Sequence, residues 1–360
     1  MLLKLLSTLN RQKFECRVVS MTSLGVVAPR LTEIGIPVAA LGLRRGIPNP
    51  FAVHQLIKIL REFRPDILQG WMYHADLLGL VAGRAARVPK VVWNIRCSDL
   101  DFPNASVSLR AVFALHGALS RFTDATIANS TAGMNFHRDN GHAPSRWELI
   151  QNGFDLTHYR ADASLRAKGR AELGVNPGEI AIGMIARFDQ FKDHATFISA
   201  AQILRATQPN TVFVLAGRGI TEGNDAITSQ LRHAGLATCT RLLGEYSDTS
   251  RLLPSLDIAT LCSLTEGFPN AVGEAMSAQL PCVATDVGDS ALLLGPTGLL
   301  VPPQDALAVA NRWSELIALG AEGRTALGLA ARHRIEQQFS LPAITASYER
   351  LYADLASRES

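Results

Sequence analysis

Short apolar runs rich in β-branched residues alternate along this chain with longer stretches whose apolar positions recur at three- and four-residue spacing. The runs 16–21, 66–70, Lys90–Ile95 and Ala125–Ala128 predict strands, and the stretches 52–63 and 77–86 between them predict helices. A second series follows Asn152-Gly153: strands at Ile180–Ile185, Thr211–Ala216, 241–243, Ile258–Leu261 and Cys282–Thr285, with helices at 195–207, 228–234 and 270–278. Such alternation describes a parallel sheet with helices on both faces, so each series predicts one doubly wound α/β domain. The boundary belongs near Asn152, ahead of a mixed charged stretch that ends in the turn Asn176-Pro177-Gly178. In open parallel sheets ligands sit at the carboxyl ends of the strands, and function is sought there.

The composition agrees with two sizeable cores. The chain has 360 residues, 47% of them hydrophobic and 19% charged, which excludes a disordered or collagen-like polypeptide. Thirty-five basic against 32 acidic residues leave a net charge of +3 with no basic stripe, so nucleic acid is not an expected partner. Cys16, Cys97, Cys239, Cys262 and Cys282 are scattered and form no CxxC pair, the pattern of buried thiols in a reducing compartment, and a cytoplasmic protein is expected. No apolar run approaches the ~20 residues that span a bilayer. The leucines of the first six residues are interrupted by Lys4, which reads as an amphipathic helix rather than a signal peptide.

The stretch from Ser263 to Met276 is the richest in chemistry. A strand runs into a Gly/Pro turn and then a helix, whose first turn offers unpaired amides and a positive dipole end to an anion. Pro269 suits an early helix position, where its missing amide proton costs nothing. Glu266 precedes the helix and Glu274 lies inside it, and carboxylates in those places accept hydrogen bonds from sugar or ribose hydroxyls. Beyond the strand Ile180–Ile185 come Arg187 and Lys192, cations able to neutralise a diphosphate. Either pair alone is also ordinary surface charge; strand-end placement of both favours a phosphate ligand that carries a sugar.

At these residues the chain resembles glycosyltransferase family 4, the retaining enzymes of the GT-B fold with two facing Rossmann-like domains and a cleft between them. The family's Glu-x7-Glu motif is matched by Glu266 and Glu274, and its strand-end Arg with a nearby Lys by Arg187 and Lys192. The hinge-like Ile150-Gln-Asn152-Gly153-Phe-Asp155, the Gly-rich Leu215-Ala-Gly217-Arg-Gly219, Leu256-Asp257-Ile258, the run from Pro281 to Gly288 and the run from Gly298 to Pro303 extend the likeness over most of the chain. The resemblance implies an acceptor-side domain at 1–153, a donor domain at 154–339 and a final helix in 340–360, with Tyr348 and Tyr352, that packs back on the first domain. It implies transfer of a sugar, with retained configuration, from a nucleotide diphosphate sugar to a glycan or lipid-linked acceptor. Arg187 and Lys192 would hold the diphosphate, Glu274 the ribose and Glu266 the sugar hydroxyls. Backbone amides of Gly267, Phe268 and Asn270, flanking Pro269, would meet sugar and phosphate, and Gly217 and Gly219 would line the donor side. Developing charge would be neutralised by these preorganised groups without a metal or other cofactor.

Three departures stand out. The family opens with a β-strand and a Gly-rich loop, whereas this chain begins at the following helix; a start assigned too late is expected over a truncated relative. The loop after Lys90–Ile95 lacks the His of many relatives, which leaves His74, Arg96 and Asp99 as sugar- or acceptor-side candidates, His74 equally in the position of a helix-starting or packing residue. Leu292 stands where relatives often carry an acid. The stretch 106–122, with Arg110 and Arg121 among apolar residues, reads as a core-facing helix with solvated arginines. Peripheral contact with the inner face of a membrane is the alternative, since in relatives using lipid-linked acceptors such a helix can rest on the bilayer. Two rival functions are a non-catalytic donor- or partner-binding relative and a dinucleotide-dependent dehydrogenase. The latter is disfavoured because Gly217-Arg-Gly219-Ile-Thr-Glu222 lacks the third glycine of GxGxxG.

Overall fold

The computed structural model describes residues 1–44, 50–98 and 105–357. The chain forms two units, one comprising Met1–Gly153 with the stretch from Leu341 onward, the other Phe154–Ser340. The first unit runs α1 (Leu2–Thr8), β1 (Val18–Ser20), α2 (Ala28–Glu33), β2 (Val38–Ala40), α3 (Pro50–Phe63), β3 (Ile67–Gln69), α4 (Tyr73–Ala86), β4 (Lys90–Ile95), α5 (Val107–Leu119), β5 (Ala125–Ala128), α6 (Thr131–Asp139) and β6 (Trp147–Leu149). The second continues with α7 (Ala163–Leu173), β7 (Ile180–Ile185), α8 (His194–Arg205), β8 (Thr211–Ala216), α9 (Asp225–His233), β9 (Thr240–Leu242), β10 (Ile258–Leu261), α10 (Asn270–Ser277), β11 (Cys282–Thr285), α11 (Ser290–Leu294), β12 (Leu299–Val301), α12 (Ala306–Ala318) and α13 (Gly320–Gln338). α14 (Leu341–Ser357) then returns to the first unit.

In the second unit all six strands are parallel, in the order β12-β11-β10-β7-β8-β9. β8 is buried throughout, which is why its sequence, Thr-Val-Phe-Val-Leu-Ala, shows no polar alternation. Phe197, Phe213 and Trp313 meet at the core, and the Trp313 indole N–H donates to Thr260 Oγ1 at 2.8 Å. Burying rings of that size contributes about 1.5–3 kcal/mol each. Asp257, just before β10, accepts from Arg166 (2.6 Å), Arg170 (2.8 Å) and the Ala181 amide (2.8 Å), tying α7 to the starts of β7 and β10.

Among its described residues the first unit contains two sheets: β1 pairs only with β2, and β3-β4-β5-β6 form a parallel four-stranded sheet. α1 serves both. Leu5 and Leu9 pack with Val92, Ala125 and Ile127, while Leu6 joins Leu31 and Ile36 against Val18 and Val38. Val19 of β1 and Leu68 of β3 share a further cluster with α3 and α4. The strands are thus covered by common helices without pairing to each other, and both are only half-buried, whereas β5 is fully buried. The break falls between β1 and β3.

The expected elements differ from the observed ones chiefly at their ends. The strand expected at 16–21 pairs only over Val18–Ser20, and the one expected at 241–243 is Thr240–Leu242. The helix expected from 77 starts at Tyr73, because Tyr73 and Asp76 are buried through polar partners that apolar periodicity does not register. α14 seats its tyrosines in the first unit: Tyr348 Oη accepts from Asn94 at 3.1 Å, and Tyr352 Oη donates to Gln69 at 2.6 Å. Among the described residues no helix is long and apolar enough to cross a membrane.

Candidate functional site

The carboxyl ends of β7, β8, β10 and β11 converge in the second unit, and there the sequence changes from apolar to polar. β7 ends in Ala186-Arg187, after which Asp189 caps a single 3-10 turn, Gln190–Lys192. Asp193 takes a left-handed φ of 46° and caps α8 through the Thr196 amide (3.1 Å) and hydroxyl (2.6 Å). This sharp reversal presents Lys192 beside the loop that leaves β10. Its ammonium pairs with Glu266 Oε1, and Ser263 Oγ donates to that same oxygen at 2.7 Å. The Leu264 amide donates to the Phe191 carbonyl at 2.8 Å and joins the two loops through the backbone.

Arg187 is half-exposed and donates through Nε to Asp189 at 2.9 Å. Burial works upward on the Asp189 carboxyl, but the Arg187 guanidinium and the Phe191 amide outweigh it and hold it below its usual range. Gly217 follows β8 at φ 147°, and a Cβ there would stand 2.1 Å from the Ala186 carbonyl. Only glycine lets the two strand ends approach so closely. Gly219 lies two residues on, also with positive φ. Gly288, after β11, presses its Cα against the backbone of Glu266, with 2.1 Å between a built Cβ and the Glu266 carbonyl oxygen.

The Gly267–Asn270 segment leads into α10, with Pro269 at the cap position and no side chain capping the helix. The Phe268 side chain is buried, stacked on Phe154 (6.1 Å between centroids) and tilted against Phe339 (5.5 Å), so its offer to a ligand is its backbone. Glu274, one turn into α10, lies within 3.4 Å of the Thr249 hydroxyl. Tyr159 lies beside it, and burial, then Glu274, push the Tyr159 phenol above its ordinary range. The structure thus brings Arg187, Lys192, Glu266, Glu274, Gly217, Gly219 and the 267–270 backbone to one end of one sheet. Ser263, Thr249 and Tyr159 join them without having been singled out. Ser263 lay within the inspected stretch but is apolar in neighbourhood and uncharged, and Tyr159 sits in a segment without periodicity.

The other three candidates belong to the first unit. Arg96, just past β4, is half-buried; it donates to Asn94 (3.4 Å) and to Asn152, and lies over Trp71 at 5.3 Å. Burial pulls its guanidinium below the ordinary range, against the pull of Tyr348. His74 is exposed in the first turn of α4. Asp99 lies outside the described residues. The first unit also holds a buried polar cluster that the sequence pattern did not reveal. His116 contacts Asp76 (3.1 Å) and His142 (3.0 Å), and Tyr73 Oη contacts His137 (2.7 Å) and Cys97 (2.9 Å). Among the described residues no group of three or more His, Cys, Asp and Glu is arranged to hold a metal ion.

Two successive parallel α/β units, the second with its polar strand ends gathered around a Lys-Glu pair, define the GT-B class of fold. Family models agree: residues 1–158 match Glycosyltransferase Family 4, and residues 179–318 match Glycosyl transferases group 1. Two glycosyltransferase family models thus match the chain, one over each half. It is 30% identical over 141 residues to the Bacillus subtilis glycosyltransferase EpsF, a match covering 39% of this chain and 36% of that protein. It is 26% identical over 249 residues to an Escherichia coli UDP-Gal:alpha-D-GlcNAc-diphosphoundecaprenol alpha-1,3-galactosyltransferase, covering 66% of this chain and 62% of that enzyme. The matched part thus spans less than two thirds of either relative. Among solved structures, HepE from Anabaena in complex with UDP superposes with a TM-score of 0.84 at 22% identity, over 98% of this chain and 95% of that one.

Proposed function

We propose that the protein is a retaining glycosyltransferase that takes a sugar from a nucleotide diphosphate sugar, with UDP as the nucleotide, and delivers it to a glycan or lipid-linked saccharide. The observation that carries the reading is the Lys192-Glu266-Ser263 cluster at the carboxyl ends of β7 and β10, with Arg187 beside it. Lys192 has three donors and gives one to Glu266, which leaves two for a phosphate oxygen. Arg187 uses Nε on Asp189, which leaves its two terminal nitrogens for the diphosphate. As the bond to the diphosphate breaks, the charge gathering on the leaving group meets cations already fixed in place, so little reorganisation is needed. Glu274 takes the ribose hydroxyls and Glu266 the sugar hydroxyls, while the amides before α10 add the dipole end of that helix. His74, Arg96 and Asp99 are assigned to the acceptor side. UDP as the nucleotide is supported by the UDP complex of HepE and the UDP-galactose enzyme among the relatives.

A second reading, donor binding without transfer, is favoured by one observation, the break between β1 and β3. Peripheral membrane contact is assigned to α5, whose exposed residues include Val107, Arg110 and Leu115, followed by exposed Phe122 under the Arg121 guanidinium. No binding to anionic vesicles at low salt removes that part. The main test is a thermal-shift panel with UDP, GDP, ADP and their common sugars, in which a ligand at 100 times its Kd adds about 2.7 kcal/mol. A shift with UDP and turnover of a UDP-sugar is expected. A shift without turnover on any acceptor selects the second reading, and a cooperative melt unmoved by every nucleotide refutes both.

A further inference from the structure

Ser263 and Thr285 lie outside every role assigned above, yet both are fully buried directly behind Glu266. The hydroxyl of Thr285, at the end of β11, donates to the Ser263 carbonyl at 2.6 Å. Ser263 Oγ in turn donates to Glu266 Oε1 at 2.7 Å, and Lys192 pairs with that same oxygen. Gly288, three residues beyond Thr285, presses on the Glu266 backbone. Two donors therefore converge on one oxygen of the carboxylate while neither takes the other. A free carboxylate turns about its terminal torsion with little preference, so a buried donor on one oxygen is what fixes which oxygen faces outward.

From this geometry we infer that Ser263 is a positioning residue, held by Thr285, that locks the Glu266 carboxylate with Oε1 on Lys192 and Oε2 presented to a hydroxyl of the transferred sugar. The inference rests on the donor reading given above and deepens it: the Thr285-Ser263 relay serves the sugar half of the donor and leaves the nucleotide half untouched. A hydrogen bond to a charged group of this kind corresponds to roughly a 10- to 100-fold effect.

The test uses Ser263→Ala and the nearly isosteric Thr285→Val, with UDP and UDP-glucose as probes for binding and UDP-glucose for turnover, as hydrolysis or transfer. For Ser263→Ala the expected result is a UDP Kd within about twofold of the unsubstituted protein and a kcat lower by about 10- to 100-fold. Thr285→Val is expected to show the same split at about a third of the logarithmic size, and it carries the test if Ser263→Ala does not fold. Equal weakening of UDP and UDP-glucose would show a merely structural role and overturn the inference, as would an unchanged kcat. Failure of the donor reading is visible separately, because the unsubstituted protein would then bind neither probe.

Discussion

Acidification should loosen the first unit through its buried histidines, and the size of the effect follows from their partners. His137 Nδ1 lies 2.7 Å from the Gly133 carbonyl, which only accepts, so Nδ1 carries the proton and Nε2 accepts from Tyr73 Oη. The neutral ring is fully satisfied, and burial holds its pKa down to about 4. His116 is stacked on Trp93 at 3.9 Å between Asp76 and His142, and burial, reinforced by the neighbouring imidazoles, holds it down to about 2. In the unfolded chain both titrate near 6.5. Between pH 6.5 and these depressed values the unfolded state binds more protons, so stability falls as pH falls. At pH 5 each histidine costs about 2 kcal/mol, about 4 kcal/mol for the two. Asp76 works in the opposite direction: burial raises its carboxyl well above the usual range, and over two pH units it returns at most about 3 kcal/mol. The first unit should therefore lose at least about 1 kcal/mol between pH 7 and pH 5, and about 4 kcal/mol in Asp76→Asn, where the offset is gone. Urea unfolding followed by tryptophan fluorescence suits the measurement, since Trp71, Trp93 and Trp147 lie in this unit and only Trp313 in the other. A stability that stays flat or rises toward pH 5, or an NMR titration of His137 near 6.5, refutes the reasoning.

Three substitutions test the second unit. Arg187→Ala and Lys192→Ala should each weaken UDP by roughly 10-fold or more; the melting temperature should hardly move for the half-exposed Arg187 but should fall for Lys192, which is largely buried and leaves Glu266 without its cation. Calorimetric titration with UDP reads the affinities, and an unchanged affinity in both variants removes the diphosphate assignment. Asp257→Ala removes the one carboxylate that two guanidiniums and the Ala181 amide share, leaving the guanidiniums only backbone carbonyls, and should cost about 3 kcal/mol in urea unfolding, with a change under 1 kcal/mol showing that the network is only decorative. Gly273→Ala places a methyl 2.0 Å from the Phe154 ring; the variant should fold poorly or melt well below the unsubstituted protein in calorimetry, since ring and helix backbone must both give way, and an unchanged melt contradicts the packing.

The long apolar strands were legible in the sequence because buried parallel strands leave continuous runs: Lys90–Ile95, Ala125–Ala128, Ile180–Ile185, Thr211–Ala216, Ile258–Leu261 and Cys282–Thr285 coincide with β4, β5, β7, β8, β10 and β11. β2, β6 and β12 span three residues each, too few for any period to declare itself. The charged candidates Arg187, Lys192, Glu266 and Glu274 were visible because each follows a recognisable strand end or a Gly/Pro turn.

What the chain alone determined, then, is local: which stretches are strands or helices, that they alternate into two parallel α/β series, and that cations and carboxylates fall where strands end. Period and turn chemistry act between near neighbours, and a sequence displays near neighbours directly. Tertiary structure alone decided the pairings between distant positions. It joined Lys192 to Glu266, set Ser263 and Thr285 behind that carboxylate, placed Tyr159 beside Glu274, and gathered Tyr73, Asp76, His116, His137 and His142 into one buried cluster. Such contacts depend on strand order and on how far each strand extends, and the order β12-β11-β10-β7-β8-β9 is set by helix crossovers and core packing rather than by any short run of residues.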